Sequence, residues 1–356
     1  MATEDIIQLW DTWEFTALLT DDRYVRPDGF WLQFFPTPFF SEKEEIFFDE
    51  LPIEDRRMAP FVMPHLQGRI MRAPQGAGLR SFRPAYLKPK HEVSPSMAVP
   101  RMPGEPLGGN LSRQERFNRI VADRAIRQDA MIRRRWDWMA AQAAIYGYCD
   151  VAGEDYTPVR IDFRRDADLT EVLTGTARWG QADANPLKDV ADMRGRGLKK
   201  GRSPINRIVM GSGAAANFLA FPGLKELTDL RYRQSGTATF NTSGFRSGEP
   251  VEAIGTFVLP DGGTVEFFKY ENSYEDPVDG VEKPLLHEND VVGVGTGLNG
   301  IRAFGAIEDI KAGMQATDVF TKNYEKDDPS KAFVVSQSAP LMVPGNPDNS
   351  FRLRTA

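Results

Sequence analysis

A single cysteine, three histidines and no long apolar run remove several classes of protein at the outset. Cys149 alone cannot build a disulfide framework; it fits a reducing compartment, and a small buried side chain is its plainest role. His65, His91 and His287 share no ligand spacing with one another or with Cys149, so neither a zinc site nor any cofactor is expected. No uncharged apolar stretch approaches the roughly 18 residues that span a membrane. The opening MATEDIIQLW is acidic and lacks the basic-then-apolar layout of a secretory signal. Repeats are absent as well.

The catalytic motifs are equally sparse. Gly295, Gly297 and Gly300 fit G-x-G-x-x-G within GTGLNG, the one opening for a nucleotide-binding enzyme at 293–300. That chemistry needs a helix whose N-terminus receives a pyrophosphate, whereas IRAFGAIEDI follows and reads as a strand. GLKKGRS at 197–203 misses the phosphate-loop pattern because Arg202 follows Gly201. Its basic run, Arg194, Arg196, Lys199, Lys200 and Arg202, reads as a solvated loop before it reads as a phosphate contact. No catalytic constellation emerges, and a non-enzymatic role is expected.

What is present is an uneven distribution of charge, proline and aromatic side chains. The net charge is −6, yet Arg56–Arg101 holds nine basic residues against Glu92 alone, while 41–55 holds seven acids against Lys43. Opposite segments so close in sequence do not easily fold back on each other if a hairpin projects; they can instead meet between copies of the chain. Ten of the 25 prolines fall within 52–106. YLKPKHEVSPS (86–96) has two of them and little to bury, so it is expected as extended backbone outside any sheet. LQGRIMRAPQGAGLRSFRPAYLK reads as two extended segments around a turn. Residues 29–48 carry eight Phe or Trp side chains broken by Pro36 and Pro38, a stretch that must pack on its own chain or on a neighbour.

The sharpest local signature is SRQE at 112–115, a capping box, followed by Phe117, Val121, Ala125, Ile132, Trp136, Met139 and Ala143 near helical spacing. Nothing interrupts before Gly147, so one helix is expected to run about 50 Å at 1.5 Å per residue. Residues 112–138 carry eight arginines and four acids, either a solvated face or a weak nucleic-acid contact. Further along, PVRIDF reads as a strand, 185–200 as a helix broken by GRG, NRIVMG as a buried strand and 212–231 as a helix broken near Pro222. GTFVLPDGGTVEFFKY reads as a hairpin, DVVGVGTG and GIRAFGAIEDI as strands, and KAFVVSQSAPLMVP as a closing strand. The mixed order makes the class α+β.

Four blocks in this order, FPTPFFSEKEEIFFDELP (35–52), YLKPKHEVSPSM (86–97), NGIRAFGAIEDI (299–310) and SQSAPLMVPGNPD (336–348), resemble the lambda-type major capsid proteins of tailed bacteriophages. The resemblance implies the Hong-Kong-97-type fold: an N-terminal arm (1–52), an extended β-hairpin loop (53–106), a peripheral domain with its spine helix (107–165), an axial domain (166–325) and a C-terminal return to the peripheral domain (326–356). It implies pentamers and hexamers of the chain in an icosahedral virion shell around double-stranded DNA, assembled in the host cytoplasm. A separate scaffolding protein, a portal and a decoration protein would be partners. An encapsulin-like compartment is the alternative with the same fold. Loop residues Arg80, Arg83, Tyr86, Lys88, Lys90 and His91, and arm residues Phe34, Phe35, Phe39, Phe40, Glu44 and Glu45, are the expected inter-subunit contacts. Arg133, Arg134 and Arg135 are the expected DNA-facing group.

Overall fold

The longest element is decided by its ends. In this computed structural model the described residues are 9–11, 14–15, 29–43, 45–50, 78–100, 111–153, 156–224 and 251–356 (backbone only at 47–50, 78–81 and 156). Helix α1 is Arg113–Tyr146. Ser112 Oγ accepts from Glu115 N at 3.2 Å, and the Glu115 carboxylate accepts from Ser112 N at 2.6 Å, so both partners of the capping box are in place. At the other end Gly147 takes φ +74°, where a side chain would be strained, and donates to Ala143 O. The seven apolar residues at helical spacing are all buried.

Strands β1 (Thr37–Phe40), β2 (Ile46–Glu50), β3 (Gly78–Phe82) and β4 (Lys90–Val93) precede α1. β2 pairs antiparallel with β3, Ile46 opposite Phe82 and Glu50 opposite Gly78. The acidic and basic segments therefore meet within one chain, by backbone pairing in which Arg80 stands opposite Phe48 and Asp49 opposite Leu79. Residues 53–77 and 101–106 of the expected loop lie outside the described residues.

A hairpin follows α1, β5 (Tyr148–Gly153) with β6 (Tyr156–Asp162). Then come β7 (Thr170–Val172), helix α2 (Pro186–Gly201), β8 (Ile205–Met210), helix α3 (Ser212–Ala220) and β9 (Val251–Val258). The expected break in α2 does not occur. Asn185 caps it, Leu187, Val190 and Met193 anchor it, and the glycines serve close approach instead: a Cβ at Gly201 would lie 2.6 Å from the Asp348 carbonyl. The chain continues with β10 (Thr264–Tyr270), β11 (Ser273–Glu275), β12 (Glu282–Pro284), β13 (Asp290–Gly295), β14 (Ile301–Phe304), β15 (Phe320–Lys326), β16 (Lys331–Gln337), β17 (Pro340–Val343) and β18 (Ser350–Arg354). The β9–β10 turn has Gly262 at φ +80°, as its Asp-Gly-Gly sequence requires. β14 is shorter than expected, and the single closing strand is two, β16 and β17, in different sheets.

Three sheets organise the body. β1, β14 and β17 form one, in that order, packed with α1. Ser41 N donates to Phe304 O, so odd positions of β1 face β14 and Pro38 and Phe40 face the open edge. Pro38 is tolerated in a strand because that edge asks it for no N–H. A second sheet, β15-β16-β4, lies along the N-terminal part of α1. The third has six strands in the order β7-β18-β13-β8-β10-β9, with α2 and α3 contributing to its apolar core. While β16 and β17 of the C-terminal segment pack with α1, β18 joins the six-stranded sheet. Its Arg352 and Arg354 hold the fully buried Asp290 carboxylate at 2.8 and 2.9 Å, which offsets the cost of burying that charge.

Candidate functional site

The glycine-rich turn is filled by its own chain. A Cβ at Gly295 would meet Asn349, at Gly297 Ser203, and at Gly300 the Phe34 carbonyl and Phe35 ring. β14 follows the turn, so no helix N-terminus is aimed at an anion there. The basic run of α2 is engaged as well. Arg194 is buried against Asp261 and the Ile205 carbonyl, Arg196 reaches Glu171 at 2.6 Å, and Lys200 reaches Asp166 at 2.5 Å. Cys149 is buried, and burial pushes its thiol up to about 12, which makes it unreactive at neutral pH. Among the described residues no group of three His, Cys, Asp or Glu is gathered for a metal.

The aromatic segment divides into two halves. Residues Phe30–Phe34 make a 3₁₀ turn that brings Phe30, Trp31 and Leu32 into the core, with Phe35 fully buried behind them. Phe35 has no surface left for a neighbour, so that inter-subunit assignment is corrected, whereas Phe34 packs against the same core and stays partly exposed. Two side chains far away in sequence impose this. Asp137 of α1 accepts from Trp31 N (2.8 Å) and Leu32 N (3.2 Å), and Arg302 of β14 donates to Phe35 O (2.6 Å) and Leu32 O (3.0 Å). Gly29 leaves room for the Asp137 carboxylate, which a Cβ there would strike. Sequence reasoning missed this clamp; an acid set between Trp136 and Trp138 on the buried side of a helix was the available clue. Phe39 and Phe40 stay 42% and 51% exposed, Glu45 is exposed, and Glu44 lies outside the described residues.

The stretch expected to leave its own chain is docked on it. β4 pairs antiparallel with β16, His91 opposite Val334, and Leu87 bridges to Ser338. Pro89 and Pro95 flank the four paired residues, so neither removes a ladder donor. Tyr86 OH donates to Gln337 Oε1 at 2.5 Å, and burial, with Glu308 and Asp309 nearby, raises its phenol above the usual range. Lys90 Nζ lies 4.0 Å over the Phe333 ring and also covers Tyr324. His91 Nδ1 meets Gln128 Nε2 at 2.8 Å. Tyr86, Lys90 and His91 thus make contacts within their own chain, Lys90 remaining exposed. Arg83 and Lys88 are exposed, and Arg80 sits in β3 opposite Phe48.

The three arginines on α1 do not act together. Arg133 pairs with Asp129 at 2.8 Å, Arg135 stacks over Trp138 at 4.9 Å, and Arg134 is exposed. Of the three, Arg133 has its charge compensated by an acid one turn before it.

A 34-residue helix flanked by a hairpin-bearing arm, a small sheet and a six-stranded sheet with its own core is the Hong-Kong-97-type capsid subunit fold. The solved structure assigned as a prophage capsid protein of E. coli CFT073 superposes with TM-score 0.72 at 23% identity, covering 98% of this chain and 100% of that one. A phage-related protein of Bordetella bronchiseptica RB50 gives 0.55 at 13% identity over 96% and 97%. In sequence, the major capsid protein of Escherichia phage lambda is 28% identical over 323 residues, 90% of this chain and 91% of that protein. That of Enterobacteria phage phi80 is 29% identical over 315 residues, 87% and 88%. Residues 30–355 match the family described as phage major capsid protein E, and the chain belongs to that family. It is a family of structural capsid proteins, not of enzymes.

Proposed function

We propose that copies of this chain assemble as pentamers and hexamers into the icosahedral shell of a tailed phage, enclosing double-stranded DNA. Assembly takes place in the host cytoplasm with a separate scaffolding protein, a portal and a decoration protein. The observation that carries the reading is family membership across 30–355 in a subunit that keeps large apolar side chains in water. Phe40 is 51% exposed, Ile310 95% and Met314 68%. Such side chains are costly in a monomer and ordinary in a subunit that is covered on assembly.

The inner surface touches DNA weakly and without sequence preference. Arg133 is neutralised by Asp129 and the α2 bases by their own acids, which leaves few cations to release counterions from a duplex. The test is expression with and without the neighbouring genes, followed by electron microscopy and nuclease treatment of purified particles. Closed shells with nuclease-resistant DNA are expected once the phage partners are present. Particles filled with an enzyme would favour a compartment instead, and a permanently small oligomer would overturn the shell reading.

A further inference from the structure

Two surface patches on opposite sides of α1 complement each other in charge and shape. The first is a cleft of about 510 Å³ between α1, the Lys88–Pro89 backbone and the Asp276–Gly280 turn. Its floor is apolar, with Ile132 and a Trp138 ring set edge-on to Tyr274 at 6.2 Å, and Met131 at its margin is 49% exposed. The Trp138 indole N–H is enclosed and meets no acceptor among the described residues. Of the two acids that line the cleft, Asp276 is already paired with Lys283 at 2.5 Å, and Glu275 is exposed. Lys88 and Arg134 are exposed and have no acidic partner among the described residues. With Lys88, Arg134 and Arg135 set against Glu275, the cleft presents an excess of positive charge around an apolar floor and an unused donor.

The second patch follows β1. Phe39 and Phe40 are half in water, and Glu42 and Glu45 just beyond are exposed without a basic partner among the described residues. Phe40 stacks on Phe304 at 5.4 Å, and Phe304 in turn meets Trp136 at 5.0 Å. At 3.6 residues per turn, positions 131, 134 and 138 lie roughly opposite 136 around the helix. The aromatic-acidic patch and the basic cleft thus belong to opposite flanks of the same helix, and one subunit cannot bring its own pair together.

We propose that the cleft beside Trp138 receives the Phe39–Glu45 segment of a neighbouring copy, with the Glu42 and Glu45 carboxylates against Lys88 and Arg134. This rests on the reading that copies of the chain assemble. Two different patches meeting head to tail form a heterologous contact, the kind that closes into rings when the rotation permits. A pair of aromatics and two exposed ion pairs do not supply a whole interface of about 1,200–2,000 Å²; they set the register of a larger one.

Charge exchange tests the pairing. Wild-type assembly is the control, and its failure would count against the shell reading rather than against this contact. Glu42→Lys with Glu45→Lys, and separately Lys88→Glu with Arg134→Glu, are expected to abolish shells under electron microscopy. Circular dichroism should show both subunits folded. The four changes combined are expected to restore shells. Either double variant assembling normally, or the folded quadruple variant failing to assemble, overturns the proposal. A second measurement needs no charge reversal: Glu42→Cys subunits are mixed with Arg134→Cys subunits, assembled and oxidised. A disulfide between the two kinds of subunit is expected, since it forms only when the Cα atoms come within about 7 Å. Cys149 is buried and does not compete. Shells that form without that crosslink overturn the proposal.

Discussion

Acid should loosen β4 from α1, through one hydrogen bond. Gln128 is wholly buried, and its amide is committed at both ends: Nε2 donates to Val334 O at 2.9 Å and to His91 Nδ1 at 2.8 Å, while Oε1 accepts from Ser336 Oγ at 2.8 Å. Ser336 is held in turn by Thr321. Rotating the amide would set its oxygen against the Val334 carbonyl, so His91 must accept and must be neutral. Burial first, then Arg124 and Arg127 of α1, lower its pKa below the usual 6.5, against Asp123, which raises it. Lys90 and Glu92 flank it on β4, the latter paired with Lys331 of β16. A lowered folded pKa means that the unfolded chain binds the proton first. The contact is intact above about 6.5 and is lost as the pH falls through the folded value.

The size of the effect follows from the apposed donors. Protonation puts an imidazolium N–H against the Gln128 NH₂ and leaves a buried donor unsatisfied, a cost of about 1–3 kcal/mol. The assay is urea unfolding of the dispersed subunit between pH 7.5 and 5.5, wild type against His91→Phe. The variant lacks the acceptor at every pH, so it should be less stable by about that amount at pH 7.5, and the gap to wild type should narrow as the pH falls. Parallel pH profiles for the two proteins would refute the reasoning. So would a His91 ring resonance that titrates at or above 6.5.

Asp137→Ala should destabilise the subunit by about 2–5 kcal/mol, because it frees two buried backbone donors and leaves a cavity beside Trp31; chemical unfolding reads this directly. Deleting residues 1–40 should unfold the subunit, seen as loss of the cooperative transition, because Phe30, Trp31, Leu32 and Phe35 are core residues. Asp290→Asn should cost about 3–5 kcal/mol by stranding Arg352 and Arg354, without affecting the α1 cap. Gly201→Ala should lower the thermal midpoint, because its Cβ meets backbone at Asp348 rather than a side chain that can move aside.

What could be read from the sequence was local. The capping box, the uninterrupted spacing to Gly147 and the Asp-Gly-Gly turn each contain their own cause within a few residues, and each appears where expected. The failures were those of distance. Nothing near Phe35 announces that Arg302 will hold its carbonyl, and nothing in KHEV announces β16 as a partner; both depend on elements more than two hundred residues away. Charge misled for the same reason. In the basic run of α2, read as solvated, Arg196, Lys199 and Lys200 are exposed, but Arg194 is buried against Asp261. The aromatic arm was read as one unit, although Pro36 separates buried Phe30, Trp31 and Phe35 from exposed Phe39 and Phe40.

The open edge of β1 constrains how subunits touch there. Pro38 faces outward without an N–H, so an incoming strand would find an incomplete ladder beside two exposed phenylalanines. A backbone ladder fixes spacing and twist between its members, whereas side chains meeting side chains can pivot by several degrees with little loss. An edge closed to hydrogen bonding but open to aromatic packing acts as a hinge rather than a weld. In the proposed shell, the same sequence would then meet its neighbour at the sharper angle of a five-fold ring and the flatter angle of a six-fold one.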